Sequence, residues 1–368
     1  MPGMKLLICP TPDCSGLLYL EDLRCDTCGA EVAYHTLSET MVAVTGPDIE
    51  VANRLWHPCV NRDRDCNWLA ADDSSTDQCF SCRLTRVRPN DNDPDALERL
   101  AEAEKSKRRV LVQLNSLGLP IDPYFESDGG LGFDLLSSEY EKVTIGQANG
   151  IVTIDLAETL DAHRERLRVA LGEPYRTMLG HFRHEIGHYY EWVLVEQTDK
   201  IEQCRQIFGD ERASYTDAID QHYSNGAPPN WRDSYISEYA TMHPWEDFAE
   251  CFAHYLHITD TLDTAASAGM ELVPGRSVVP ALPLAVGPRD SYGADDFDAL
   301  MDDWHWISLF FNRVNRSMGK ADLYPFSISD PVVDKLRFIH GVLTDLPRTR
   351  VSELDGFGRS IDSQDTAG

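Results

Sequence analysis

Apolar residues recur at three- and four-residue intervals over most of the chain beyond residue 93, a spacing that predicts helices. Ala96, Leu97, Leu100 and Ala103, then Val110, Leu111 and Leu114, predict a helix from Asp95 to Leu117 that stops at Gly118. Asp93 can cap it, with Pro94 at its first position. Val143 to Asp155 reads as two short strands around Asn149-Gly150, a hairpin signal. A long helix is expected from Pro174 or soon after to about Gln197, with further helices near 199–208 and 210–223. Pro228-Pro229-Asn230 breaks the pattern, and a helix restarts at Pro244 and runs to about Ile258. Residues 270–292 carry Pro274, Pro280, Pro283 and Pro288 and read as a long loop, and two more helices are expected near 295–317 and 330–343.

Residues 1–92 have a different texture: short strand-like runs, eight of the ten cysteines, and no helical period. The fold class expected is therefore α+β. A small β zinc-ribbon module (1–92) precedes a mainly helical domain with a small antiparallel-rich sheet (93–347), and the polar tail, 348–368, is expected to be disordered. No internal repeat of fixed period is present.

The chain has 368 residues, of which 42% are hydrophobic, enough for a sizeable core. Its net charge of −28 argues against nucleic-acid and anionic-membrane partners. The N-terminus lacks a basic segment followed by an apolar one, and no stretch approaches 18 apolar residues. A cytoplasmic location without a membrane anchor is expected, and in a reducing compartment cysteines favour metal over disulfides.

Those cysteines fall in pairs: Cys9/Cys14, Cys25/Cys28, Cys59/Cys66 and Cys79/Cys82. Cys25-Asp-Thr-Cys28 and Cys79-Phe-Ser-Cys82 are two-residue knuckles that turn two thiolates toward one ion. Sequential pairing gives two structural zinc sites, Cys9/Cys14/Cys25/Cys28 and Cys59/Cys66/Cys79/Cys82, with an interleaved cross-brace as the alternative. Residues 1–92 hold 8 Lys/Arg against 14 Asp/Glu, so the module is expected to contact protein rather than nucleic acid.

The candidate chemistry lies in His184-Glu185-Ile186-Gly187-His188. Residues four apart share a helix face, so two imidazoles meet one ion. Zinc lowers the pKa of water to about 7, and Glu185 is placed to take the proton. Gly187 permits close approach of another backbone or of substrate. A third ligand is expected from Tyr239-Ala-Thr-Met-His243-Pro-Trp-Glu246-Asp-Phe-Ala-Glu250. Glu246 is the candidate ligand, Glu250 a hydrogen-bond acceptor for a ligating histidine, and Tyr239 a donor to the developing oxyanion. His181, on the histidine stripe, and His243, ahead of Pro244, are competing ligands. The former fits packing better and the latter a helix cap. His254 and His257 read as core or surface histidines, and Cys251 as core filling.

This pairing of HExxH with a downstream E-x-x-x-E helix resembles the gluzincin metallopeptidases, and the tyrosine seven residues before the first glutamate is similar to anthrax lethal factor. More of the chain resembles a bacterial family of zinc-binding metallopeptidases with an N-terminal zinc ribbon. The resemblance rests on Cys79-Phe-Ser-Cys-Arg-Leu-Thr-Arg86, on Glu173 to His188, and on His243-Pro-Trp-Glu-Asp-Phe-Ala-Glu250 continuing through Phe252-Ala-His-Tyr-Leu256. It implies a ribbon module and a zincin-like domain with His184, His188 and Glu246 as ligands of one catalytic zinc and Glu185 as base, acting on a protein or peptide substrate. The metzincin pattern does not fit, since it needs glycine and histidine where Glu191 and Leu194 stand. The competing function is a non-catalytic zinc-ribbon interaction or regulatory protein with a vestigial peptidase fold. A nucleoprotein-associated protease is a third.

Overall fold

The computed structural model describes residues 7–72, 76–138, 143, 145–160, 177–273, 286–289 and 291–346. The expected helix start at 174–176, most of the Pro-rich 270–292 segment and the 348–368 tail lie outside the described residues. The chain packs as two units, essentially 4–160 and 161–346. By packing, the helix and sheet that follow residue 93 group with the cysteine-rich segment.

In the first unit, β1 (Leu7–Ile8) pairs antiparallel with β2 (Leu17–Leu18), and β3 (Val32–His35) with β4 (Thr40–Ala43). β5 (Ile49–Val51), β6 (Arg54–Pro58) and β7 (Leu69–Ala71) form an antiparallel meander. Ala33, Ile49, Trp56, Leu69 and Ala71 make a small common core. Such strands are too short to hold each other by ladder bonds alone, so side chains stitch them. The Asn67 amide donates to the Leu20 and Asp22 carbonyls (2.6 and 3.1 Å), and Arg62 donates to the Leu23 and Val32 carbonyls (both 3.1 Å).

A short helical turn, α1 (Phe80–Arg83), leads into β8 (Thr85–Val87), and α2 (Pro94–Ser116) follows, capped by the Asp93 side chain as expected. Helix α2 crosses over to β9 (Gly132–Leu136), so β8 and β9 run parallel. β10 (Gly146–Ala148) and β11 (Ile151–Asp155) form the hairpin read around Asn149-Gly150. β11 lies parallel to β9, giving the order β10-β11-β9-β8. The sheet is therefore mixed, antiparallel at its β10 edge and parallel in its other two pairings. It departs from the antiparallel-rich expectation because the crossover helix admits β8, a strand from the cysteine-rich segment.

The second unit is built on α3 (Met178–Glu191), capped by Thr177 and continued by a π-helical turn, Trp192–Glu196. Then come α4 (Ile201–Phe208), α5 (Tyr215–Asn225), α6 (Pro244–Ser267), α7 (Phe297–Ser317) and α8 (Asp330–Thr344). Helix α6 runs nine residues beyond the expected end near Ile258. Its extension is rich in threonine, a poor helix former. There the Thr259, Thr261 and Thr264 hydroxyls bond back to carbonyls four residues earlier, at 2.7–3.0 Å, while Leu262 and Ala265 are buried.

Helices α3 and α6 make the most extensive contact of this unit. Gly187 is the reason: a Cβ built there would lie 3.0 Å from the Ala249 Cα and 3.3 Å from the Phe252 Cβ. Phe182, Ile186 and Tyr190 on α3, and Phe248, Phe252 and Leu256 on α6, are at most 1% exposed. A buried ion pair, Lys335 Nζ to Asp247 at 2.6 Å, ties α8 to α6, with the same ammonium donating to the Ser234 carbonyl. No described helix is long and apolar enough to cross a membrane.

Replacing Gly187 with valine forces the two helices apart. The expected cost is about 1–3 kcal/mol of unfolding free energy, read as a lower chemical-denaturation midpoint; an unchanged midpoint would contradict the close approach.

Candidate metal centres

Both sets of four cysteines come together in sequential order, not interleaved. In each set the Sγ atoms lie within 4.8 Å of one another. Sulfurs at 2.3 Å from one tetrahedral ion stand about 3.8 Å apart. The separations here are 3.6 Å for Cys9–Cys28, 3.9 Å for Cys14–Cys25, 3.7 Å for Cys59–Cys82 and 3.5 Å for Cys66–Cys79. The donor set and spacing fit zinc, and four sulfurs complete its coordination. The wide loop between Cys9 and Cys14 turns through a left-handed residue, Asp13, and Gly16 just beyond it leaves room for the Cys25 sulfur, from which a Cβ would stand 2.8 Å.

The two sites differ in setting. Cys59, Cys66, Cys79 and Cys82 are all buried, whereas Cys28 is exposed. The Ala30 amide and the Thr11 hydroxyl lower the Cys28 thiol to about 6, while burial pushes Cys79 well up. Beside the buried set, Arg108 is 1% exposed and donates to the Asp65 carbonyl at 3.0 Å. Burial opposes its charge, but the neighbouring Cys66 and Glu104 outweigh it. A fixed cation of this kind offsets thiolate charge.

The third convergence is His184, His188 and Glu246, all buried, with their ligand atoms within 4.8 Å of one another. Glu246 Oε2 stands 2.9 Å from His184 Nε2 and 3.5 Å from His188 Nε2. Helix α3 presents the imidazoles one turn apart, and the first turn of α6 presents the carboxylate. On its other side, His184 Nδ1 donates to Glu250 Oε1 at 2.7 Å. Burial would lower the His184 pKa, yet its bonds to Glu246 and Glu250 outweigh burial and hold it well above its ordinary value. Burial likewise opposes the Glu246 charge, but His188 and His184 keep that carboxyl well below the usual range. The pocket thus favours positive charge between its carboxylates. Two imidazole nitrogens and one carboxylate oxygen fit a zinc ion with an open position.

Glu185 is 5% exposed and does not join the converging atoms. His181 Nε2 donates to its Oε1 at 3.3 Å, and its Oε2 has no protein partner among the described residues. Burial would protonate it, but the His181 bond and the charge of His184 lower its pKa, so it is held as a carboxylate. Tyr239 lies on a 3₁₀ turn, Tyr239–Thr241, with its ring 5.8 Å from that of His184. Burial and the nearby Glu246 charge push its hydroxyl pKa up, so it keeps its proton.

His181 therefore contacts the glutamate and not the metal set. His243 caps α6: its Nδ1 accepts from the Trp245 amide at 3.1 Å, and its Nε2 donates to the Ala213 carbonyl at 3.1 Å. His254 meets the Tyr324 hydroxyl at 2.8 Å, and His257 accepts from Arg183 at 2.6 Å. Cys251 is buried in α6.

Two neighbours escaped sequence reading. Tyr215, on α5, donates to Glu246 Oε1 at 2.6 Å, and the Trp245 ring stacks on His188 at 3.8 Å. Trp245 adjoins Glu246, but adjacency says nothing about stacking on another helix. Tyr215 lies 31 residues before Glu246 with no periodic link to it.

Residues 96–342 match the family described as "Putative zinc-binding metallo-peptidase", and residues 8–93 match a zinc-ribbon domain. Uncharacterized proteins of Mycobacterium bovis and of two strains of Mycobacterium tuberculosis are 44% identical over 342 residues, covering 91% of this chain and 94% of each relative. No solved structure matches.

Among the described residues, three convergent ligand sets set the expected metal content. Elemental analysis should give three zinc ions per chain, and His184→Ala or Glu246→Ala should each remove one while the ribbon sites stay filled. Retention of all three in His184→Ala would refute the third site.

Proposed function

We propose that this chain, which belongs to the zinc-binding metallopeptidase family matched by its residues 96–342, hydrolyses peptide bonds at the His184, His188 and Glu246 centre with Glu185 as general base. One observation carries the reading. A buried, ionised glutamate with a free oxygen stands beside a buried donor set whose chemistry suits an open zinc site. His181 satisfies only one of the glutamate's oxygens, and a buried polar atom left without a hydrogen bond is costly unless a ligand or water meets it.

Zinc held there supplies Lewis acidity, polarising the scissile carbonyl and making water acidic near neutral pH. The chain's own residues do the rest. Glu185 Oε2 takes the proton from the attacking water and returns it to the leaving amine. His181 orients Glu185 through its other oxygen. Glu250 fixes the His184 ring by accepting from Nδ1, which leaves Nε2 for the metal. Tyr239, held neutral, donates its hydroxyl hydrogen bond to the oxyanion as it forms. A glutamate ligand with a tyrosine seven residues before it supports a gluzincin-type reading of the centre, similar to anthrax lethal factor. The zinc ribbons, each closed by four sulfurs, serve folding and protein recognition.

In the full-length protein, Glu185→Gln is expected to lower kcat by about 10²–10⁴-fold with metal content unchanged. Unimpaired proteolysis by folded, zinc-loaded Glu185→Gln would sink the mechanism. A wild-type protein that holds the third zinc yet cleaves no peptide library would instead support the interaction-protein reading. Tyr239→Phe should lower kcat by roughly 10²-fold with KM little changed, as a donor acting only in the transition state would.

A further inference from the structure

Glu246 has two oxygens, and only one faces the histidines. Oε2 stands 2.9 and 3.5 Å from the two Nε2 atoms, while Oε1 accepts the Tyr215 hydroxyl at 2.6 Å. That separation is typical of a charge-assisted O–H···O⁻ bond, about twice as strong as a neutral one.

The Tyr215 ring is held on several sides. It is the first residue of α5, whose start is capped by the Ser214 hydroxyl. Its ring meets His243 edge-on at 5.3 Å and Trp245 at 5.7 Å. His243 bridges the two segments, capping α6 through Nδ1 and donating from Nε2 to the Ala213 carbonyl. The cap that starts the Glu246 helix is thus bonded to the segment that delivers the Tyr215 hydroxyl to Glu246.

We infer that Tyr215 is a positioning residue for the third metal centre: its hydroxyl occupies Oε1 and restricts Glu246 to single-oxygen ligation through Oε2. Without that bond the carboxylate can rotate and present both oxygens, filling the position that water and substrate need. The inference rests on the metal-centre reading above but not on catalysis, since ligand orientation acts first on the metal itself. Partners that orient a ligand are typically worth about 10–100-fold in metal affinity or activity.

The test is Tyr215→Phe in the full-length protein, which keeps the ring contacts with His243 and Trp245 and removes only the hydroxyl. Zinc affinity of the third site, measured by chelator competition with the ribbon sites filled, should fall by about 10–100-fold. Far-ultraviolet circular dichroism should match the wild type. Cobalt(II) loaded selectively at the third site should give an altered visible spectrum. Unchanged affinity and spectrum would overturn the inference. So would a loss of kcat alone, which would make Tyr215 a donor to the transition state. Should Tyr215→Phe perturb the fold, Tyr215→His tests whether another donor at this position restores affinity, and failure to do so in a folded variant counts against the inference. In a Glu246→Gln background, where Oε1 carries no charge, Tyr215→Phe should change residual affinity by much less. An equal loss there would mean that Tyr215 acts on the fold rather than through Glu246. If wild-type protein binds the third zinc but shows no peptidase activity, these readouts still decide the role of Tyr215, because none but the kcat comparison needs turnover.

Discussion

The close approach of α3 and α6 at Gly187 is the constraint on which the candidate metal centre depends. Zinc–ligand bonds are about 2.0–2.2 Å long, so donors on two helices converge only if the backbones nearly touch. The missing side chain at Gly187 brings the Ala249 backbone within van der Waals range of α3. His184 and His188, flanking that glycine on α3, then meet Glu246 from the first turn of α6. The apolar faces on either side, Phe182 and Ile186 against Phe248 and Phe252, exclude water and hold the register.

The electrostatics follow from that geometry. Glu246 and Glu250, one turn apart on α6, both reach His184 from opposite sides. A buried carboxylate and a half-buried one this close need a positive partner. With protein groups alone, the imidazole of His184 is driven toward its charged form. A dication answers the same demand and uses the lone pairs that a proton would otherwise occupy. The ribbon sites reach a similar balance with different atoms. Four sulfurs close each one, and beside the buried set the Arg108 cation lies in the interior. Closed sites hold a fold together, whereas a three-donor site leaves room for chemistry.

Much of this was legible because it is local. A two-residue knuckle turns thiolates together wherever it occurs, and an i, i+4 histidine pair shares a helix face by geometry alone. Asp93, Asn149-Gly150 and Pro244 mark their elements through short-range backbone effects, and all three are found where expected. The end of α6 was not legible, since threonine propensity argues against helix and only the burial of Leu262 and Ala265 sustains it. Nor was the parallel β8–β9 pairing, because β8 looks like part of the cysteine-rich segment until α2 carries the chain back beside it.

By itself, the sequence determined the donor chemistry, the helix that carries His184 and His188, and the zinc-binding family to which the chain belongs. Those are properties of residue type and near-neighbour spacing. Only the tertiary structure decided that His181 holds Glu185, that His243 is a cap joined to Ala213, that Trp245 stacks on His188, and that Tyr215 holds the spare oxygen of Glu246. The last of these contacts joins residues 31 apart, from the start of α5 to the first turn of α6. No periodicity encodes such a contact, because it exists only once packing has selected which faces meet.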